Sequence, residues 1–170
     1  MMMQKKSKND CKKEELYEEV ALQLTGLFED CPHVIANLSN ASAALNEAME
    51  NINWVGFYQV NIIPEKKLIL GPFQGKVACV EIGIGKGVCG TCVEKDEIQL
   101  VKNVHEFPGH IACDGASNSE IVLPIHVHGN IWGVLDIDSP LLARFDETDA
   151  KGLEKIVGVI EKMLEKCSLE

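Results

Sequence analysis

Between Glu120 and Asp138, two runs of alternating apolar residues flank His128-Gly129-Asn130, the pattern of antiparallel strands joined by a tight turn. This hairpin restricts the chain more than any other stretch. Side chains on a strand alternate with a period of two, so the pairing register decides which set is buried. Ile121, Leu123, Ile125 and Val127 form one apolar set, and Ile131, Leu135 and Ile137 form the other. Bringing both sets to one face requires a three-residue loop, His128 to Asn130, with Val127 opposite Ile131. Counting back places Val122 opposite Asp136 and Glu120 opposite Asp138. Glu120, Asp136 and Asp138 then share the other face with Val122, Val134 and Trp132. Like charges directly across a sheet repel, and a solvated outer face would tolerate them. Acids interleaved with valines and a tryptophan suit the floor of a pocket better. Such a floor binds an ammonium group, and repulsion within it keeps one acid protonated near neutrality.

The rest of the chain reads as helices and short strands. Leu16, Val20, Leu24, Leu27 and Phe28 recur at helical spacing from Glu14 to Glu29, which predicts a first helix. Asp30 and Pro32 stop it, and Val34, Leu38, Ala41, Leu45 and Met49 mark a second. Strand-like runs follow at Trp54 to Asn61, Leu68 to Phe73 and Val77 to Ile82, an antiparallel meander. The glycine-rich turn Gly83 to Gly87 leads into a short helix ending near Lys95, and Ile98 to Val101 reads as a strand. Lys102 to Asn118 shows no periodicity and contains Pro108-Gly109 and Gly115, so it reads as a long loop. Loops of this length in compact domains usually serve function. A last helix starts near Asp146, with Leu153, Ile156, Val157, Ile160 and Leu164 as its buried stripe. These elements predict one α/β domain of the α+β kind over 14–170, behind a mobile N-terminal tail at 1–13.

Charge and cysteine content narrow the partners. With 26 acidic against 16 basic residues the net charge is −10, which repels nucleic-acid backbones and favours cationic or zwitterionic small molecules. Met1 to Lys13 lacks the apolar run of a signal peptide, and no stretch is long and apolar enough for a membrane span. The expected location is the cytoplasm. Seven cysteines in a reducing compartment point to catalysis, redox sensing or metal.

Two motif matches compete with the thiol reading. Cys89, Cys92, His105 and His110 have the spacing of a zinc finger, but Phe107-Pro108-Gly109 would break the helix that carries both histidines in such a finger. Gly85, Gly87 and Gly90 match the dinucleotide fingerprint, yet they sit among antiparallel elements and not at the first turn of a βαβ unit. Cys11, Cys31 and Cys167 read as core or surface filler. Cys79 falls on a predicted strand, Cys89 and Cys92 lie one helical turn apart, and Cys113 sits in the long loop just ahead of the acidic hairpin. Those four fall close together in the sequence and next to the acids, which favours chemistry over packing.

Several segments carry a family resemblance. Asn53-Trp54-Val55-Gly56-Phe57-Tyr58, Leu70-Gly71-Pro72-Phe73-Gln74-Gly75, Gly87-Val88-Cys89-Gly90-Thr91 and His110-Ile111-Ala112-Cys113-Asp114 resemble the free methionine-(R)-sulfoxide reductases. Ala116 to Pro124 and Gly133 to Ser139 do so as well. These are GAF-domain enzymes, and the likeness runs from about Glu14 onward. It implies an antiparallel sheet of about six strands with helices packed against it. It also implies three redox cysteines, at Cys79, Cys89 and Cys113. The substrate-holding carboxylates fall on Glu120, Asp136 and Asp138, the cluster that the register produced independently. Trp54 and Tyr58, of like parity on one strand, match the aromatic wall of the family's pocket. Cys92 departs from the pattern.

The chemistry implied is attack by the Cys113 thiolate on the sulfoxide sulfur while a protonated acid, from a Glu120–Asp138 pair, donates to the oxygen. Cys89 or Cys79 then condenses with the resulting sulfenic acid, and thioredoxin or a similar dithiol reduces the disulfide. No bound cofactor or metal is expected. A non-catalytic GAF-type sensor is the alternative, disfavoured by the lack of an output domain in the sequence. A homodimer is compatible with either reading.

Overall fold

A computed structural model describes residues 8–109 and 115–167. Six strands form one antiparallel sheet: β1 (Trp54–Asn61), β2 (Lys67–Gly75), β3 (Glu81–Gly83), β4 (Gln99–Val101), β5 (Ser119–Val127) and β6 (Asn130–Ser139), in the order β3-β2-β1-β6-β5-β4. Helices α1 (Lys8–Phe28), α2 (Val34–Ala48) and α4 (Glu147–Cys167) cover one face, and α3 (Gly87–Lys95) packs on the other. The architecture is α+β, as expected. The hairpin strands β5 and β6, with β1 beside them, form the middle of the sheet.

Strand alternation sorts the two cores. Val55, Phe57, Ile121, Leu123, Leu135 and Ile137 point into the helical layer, whereas Trp54, Tyr58, Val122 and Val134 point toward α3. The helical layer is pinned at one end by Asp149, which is fully buried. Tyr17 Oη donates to Asp149 Oδ1 at 2.7 Å, and Lys13 Nζ lies 2.6 Å from its Oδ2. Asp146 caps α4 by accepting from Thr148 N and Asp149 N at 2.9 and 3.0 Å. These contacts explain why α1 begins at Lys8 and not at Glu14: the ammonium of Lys13 has two carboxylates to reach, Asp146 and Asp149.

The hairpin corrects the sequence reading in detail while keeping its result. Glu120 pairs with Asp138 and Val122 with Asp136, as the alternation required. The turn, however, has two residues, with Val127 opposite Asn130 and with His128 and Gly129 at φ 50 and 77. Both central residues in the left-handed region are the mark of the hairpin turn that matches strand twist. A bulge compensates: Ile125 pairs with Gly133 but His126 pairs with Ile131, so Trp132 is the extra residue. One inserted residue reverses the parity beyond it. Trp132 therefore packs against the helical core and Ile131 against the other, opposite to expectation.

The third strand is also shorter than the predicted Val77 to Ile82, and Cys79 lies outside any strand. Gly75 ends β2 at φ 135. Two of the carbonyls that follow are met by aromatic side chains, Trp54 Nε1 donating to Lys76 O at 3.1 Å and Tyr58 Oη to Cys79 O at 2.9 Å, before Leu70 N of β2 meets Val80 O at 3.0 Å. Among the described residues, no helix is long and apolar enough to cross a membrane.

Candidate active site

A cavity of about 550 Å³, its open mouth included, lies between the central strands and α3. Glu120, Asp136 and Asp138 line it together with Trp54, Tyr58 and Cys89. Successive rungs of the ladder set the spacing. Trp54, Asp138 and Glu120 share one rung, and Gly56, Asp136 and Val122 share the next.

Gly56 is where the wall needs a missing side chain. A Cβ there would come within 2.3 Å of Phe73 Cβ and 2.7 Å of the Trp54 ring. Its absence lets Trp54 stack on Phe73 at a centroid distance of 5.2 Å and on Tyr58 at 6.0 Å. The roof depends on Gly90 in the same way, since a Cβ would meet Gly83 O at 2.3 Å. Gly85 N donates to Gly90 O at 2.9 Å, which draws α3 onto the turn and brings Cys89 over Asp136.

The electrostatics are those of acids and thiols taken out of water. Burial holds the Glu120 carboxyl well above its usual range, and the charges of Asp136 and Asp138 add to the effect. Burial pushes Asp136 up to about 6, against hydrogen bonds with Cys89 and Glu120 that pull it down. The pair linked by a hydrogen bond is thus Glu120–Asp136, whereas the sequence pointed to Glu120–Asp138. Asp138 acts on Glu120 through its charge. Asp136 Oδ1 is buried with no hydrogen-bond partner among the described residues.

Burial, followed by the nearby acids, also pushes the Cys89 thiol far up, so it stays neutral and donates to Asp136. Cys92 is fully buried, its thiol is likewise raised by burial, and its Sγ lies 3.8 Å from Val122 O. Both are reduced, as are Cys11, Cys31 and Cys167. Cys79 is disulfide-bonded. It follows Ala78, a lining residue, and burial raises the Tyr58 hydroxyl that holds its carbonyl. Cys113 lies outside the described residues, and so does His110.

One set of donors has metal-like proximity: the ligand atoms of Cys89, Glu120 and Asp136 lie within 4.8 Å of one another. Two of these three hold their protons tightly, which opposes metal binding. Of the zinc-finger residues, His105 is engaged with Asn118 Oδ1 at 2.8 Å. The sequence reading missed Lys86, Gly87 and Ser117, which also line the cavity. Lys86 and Gly87 open α3, and the glycine-rich run from Gly83 was their available signal.

A curled antiparallel sheet with helices on one face and a ligand-sized cavity on the other defines the class, and the model of the GAF domain matches residues 14–164. The free methionine-R-sulfoxide reductase of Escherichia coli (strain K12) is 48% identical over 89% of this chain and 90% of its own length. The structure of fRMsr of Staphylococcus aureus in its reduced form is 55% identical, with a TM-score of 0.82 over 87% of this chain and 94% of that one. That of the free methionine-R-sulfoxide reductase from Neisseria meningitidis in complex with its substrate is 40% identical, with a TM-score of 0.86 over 99% and 96%. The chain belongs to the GAF-domain family of free methionine-R-sulfoxide reductases.

Proposed function

We propose that this chain reduces free methionine (R)-sulfoxide to methionine by cysteine thiol chemistry. The observation that carries the reading is the cavity floor, three carboxylates of which Glu120 and Asp136 share a hydrogen bond, facing an aromatic wall. The names of the relatives point the same way.

A free amino acid is a zwitterion, and the cavity offers both signs. Its ammonium meets Asp136, with the unmatched Oδ1, and Asp138. Its carboxylate meets Lys86 and the first N–H groups of α3, which have no partner within the helix. The thioether arm lies along Trp54 and Tyr58.

Cys113 as thiolate attacks the sulfoxide sulfur, and Glu120 delivers its proton to the oxygen as the oxygen passes to the cysteine. Methionine leaves two electrons richer, and Cys113 is left a sulfenic acid. Cys79 then displaces water from it to form a disulfide. The bonded state of Cys79 and the reduced state of Cys89 support this choice over Cys89. A cytoplasmic dithiol such as thioredoxin completes the cycle, which calls for no bound metal or organic cofactor.

Turnover of resolved free methionine sulfoxide epimers with a thioredoxin system is the direct test. Consumption of the R epimer alone is expected. Binding without turnover of either epimer would favour a sensor.

A further inference from the structure

Two cysteines unused in that cycle meet on the helical side of the sheet. Cys31 lies in the turn between α1 and α2, and Cys167 ends α4, 136 positions away. Cys167 Sγ is 4.0 Å from the Cys31 carbonyl oxygen and 3.9 Å from Met163 Sδ. Both thiols are half-buried and reduced. Both line a surface cavity of about 520 Å³ with Glu29, Asp30, Pro32 and Lys166. Cys167 packs against the edge of the helical core, yet the cavity that it shares with Cys31 is bordered by the charged Glu29, Asp30 and Lys166.

The frame around the two thiols is fixed. Cys31 N donates to Phe28 O at 3.3 Å, and Asn37 Nδ2 donates to Cys31 O at 2.9 Å. Lys166 Nζ donates to Glu29 O, which clips the end of α4 to the same turn. With both backbones held next to each other, the cavity that the two residues share is the space into which their side chains turn. Disulfide formation needs the two residues side by side, and the Cys167 sulfur already rests against the backbone of Cys31 at the rim of the cavity that both line.

We propose that Cys31 and Cys167 are a second dithiol site, independent of the catalytic cysteines, that closes into an intramolecular disulfide on contact with a low-molecular-weight disulfide. One cysteine thiolate attacks a sulfur of the oxidant, whose S–S bond breaks and releases one thiol. The second cysteine attacks the mixed disulfide and releases the other. Two protein thiols lose two electrons and two protons, and the oxidant gains both. The new bond ties the end of α4 to the α1–α2 turn, across the sheet from the acidic cavity.

The test is peptide mapping of the full-length protein after incubation with oxidised glutathione, thiol alkylation and digestion without reductant. A peptide pair linked through Cys31 and Cys167 is expected as the major form of both residues in the wild type. The link should persist in Cys79→Ser, where the catalytic disulfide cannot form, and vanish in Cys31→Ser and in Cys167→Ser. Recovery of the two as separate glutathione adducts or unmodified thiols would overturn the proposal. So would links between molecules, or loss of the link in Cys79→Ser.

Discussion

Glu120 and Asp136 form a hydrogen-bonded carboxyl pair although the strand ladder sets Asp138, not Asp136, directly opposite Glu120. The diagonal arrangement separates the duties of the three acids. In the proposed mechanism Glu120, whose carboxyl is held well above its usual range, is the donor, and Asp138 faces the substrate's ammonium. Glu120→Gln should therefore slow single-turnover sulfenic acid formation by about a hundredfold or more, the usual scale for losing a general acid. Asp138→Asn should act chiefly on substrate affinity. Rapid-quench measurements over a range of substrate concentrations separate the two, and a reversed pattern would return the proton to Asp138.

The same pair makes stability depend on pH with a definite sign. Asp136 is raised in the folded state from 3.8 to about 6 by burial, so the native protein binds its proton more tightly than the unfolded chain does. Its contribution to stability is complete below pH 3.8 and is lost as pH rises through about 6. Denaturant unfolding of ligand-free protein should show this loss between those limits, superimposed on the other titrations. Asp136→Asn should remove that part of the slope. An identical slope in the variant would mean that Asp136 titrates normally.

The acid floor was legible in the sequence because alternation alone set Glu120 against Asp138, and the ladder has that register. The route there was wrong by one residue twice, in the turn and in the bulge at Trp132, and the errors cancelled. Bulges leave no mark on hydrophobic alternation, since Ile131 and Trp132 are both apolar and either can face a core. Nor could alternation reveal the diagonal bond, which depends on how side chains bend above the sheet. Cys79 was misplaced on a strand because Val77, Ala78 and Val80 look strand-like. Around them the carbonyls of Lys76 and Cys79 accept from the Trp54 and Tyr58 side chains, contacts between distant positions, and the bonding to β2 resumes at Val80.

Gly56 gives a test of the wall that leaves the chemistry untouched. Its Cβ would overlap Phe73 and Trp54 at 2.3 and 2.7 Å, so Gly56→Ala must force the stacked rings apart. Overpacking of this kind costs about 1–3 kcal/mol. Thermal unfolding should register that loss, and KM should rise more than kcat falls because Glu120 and the thiols are not displaced. Wild-type stability in the variant would show that the wall yields freely.

The cysteines should separate by step. Cys113→Ser removes the proposed nucleophile and should abolish even a single turnover, whereas Cys79→Ser should release one methionine per molecule and then stop. Cys89→Ser should retain both the burst and most of the recycling, because its buried thiol is a donor to Asp136 and not a thiolate. Quantifying methionine per enzyme with and without thioredoxin reads all three. Recycling lost in Cys89→Ser but kept in Cys79→Ser would exchange the two assignments.

Discrimination between free and peptide-bound substrate follows from the same floor. Acetylation of the amino group removes the ammonium charge and leaves Asp136 Oδ1, a buried acceptor with no partner among the described residues, facing an uncharged amide. Unmatched buried polar groups cost roughly 1–3 kcal/mol each, more when charged, and sites built around such a pairing reject the analogue strongly. N-acetyl-methionine sulfoxide should accordingly lose at least a hundredfold in kcat/KM relative to the free amino acid. Lys86→Ala should weaken the free substrate and the acetylated one by the same factor, since both keep the carboxylate proposed to meet Lys86. Asp138→Asn should cost the free substrate alone. If acetylated and free substrates turned over alike, the ammonium site would be wrong while the thiol chemistry stood.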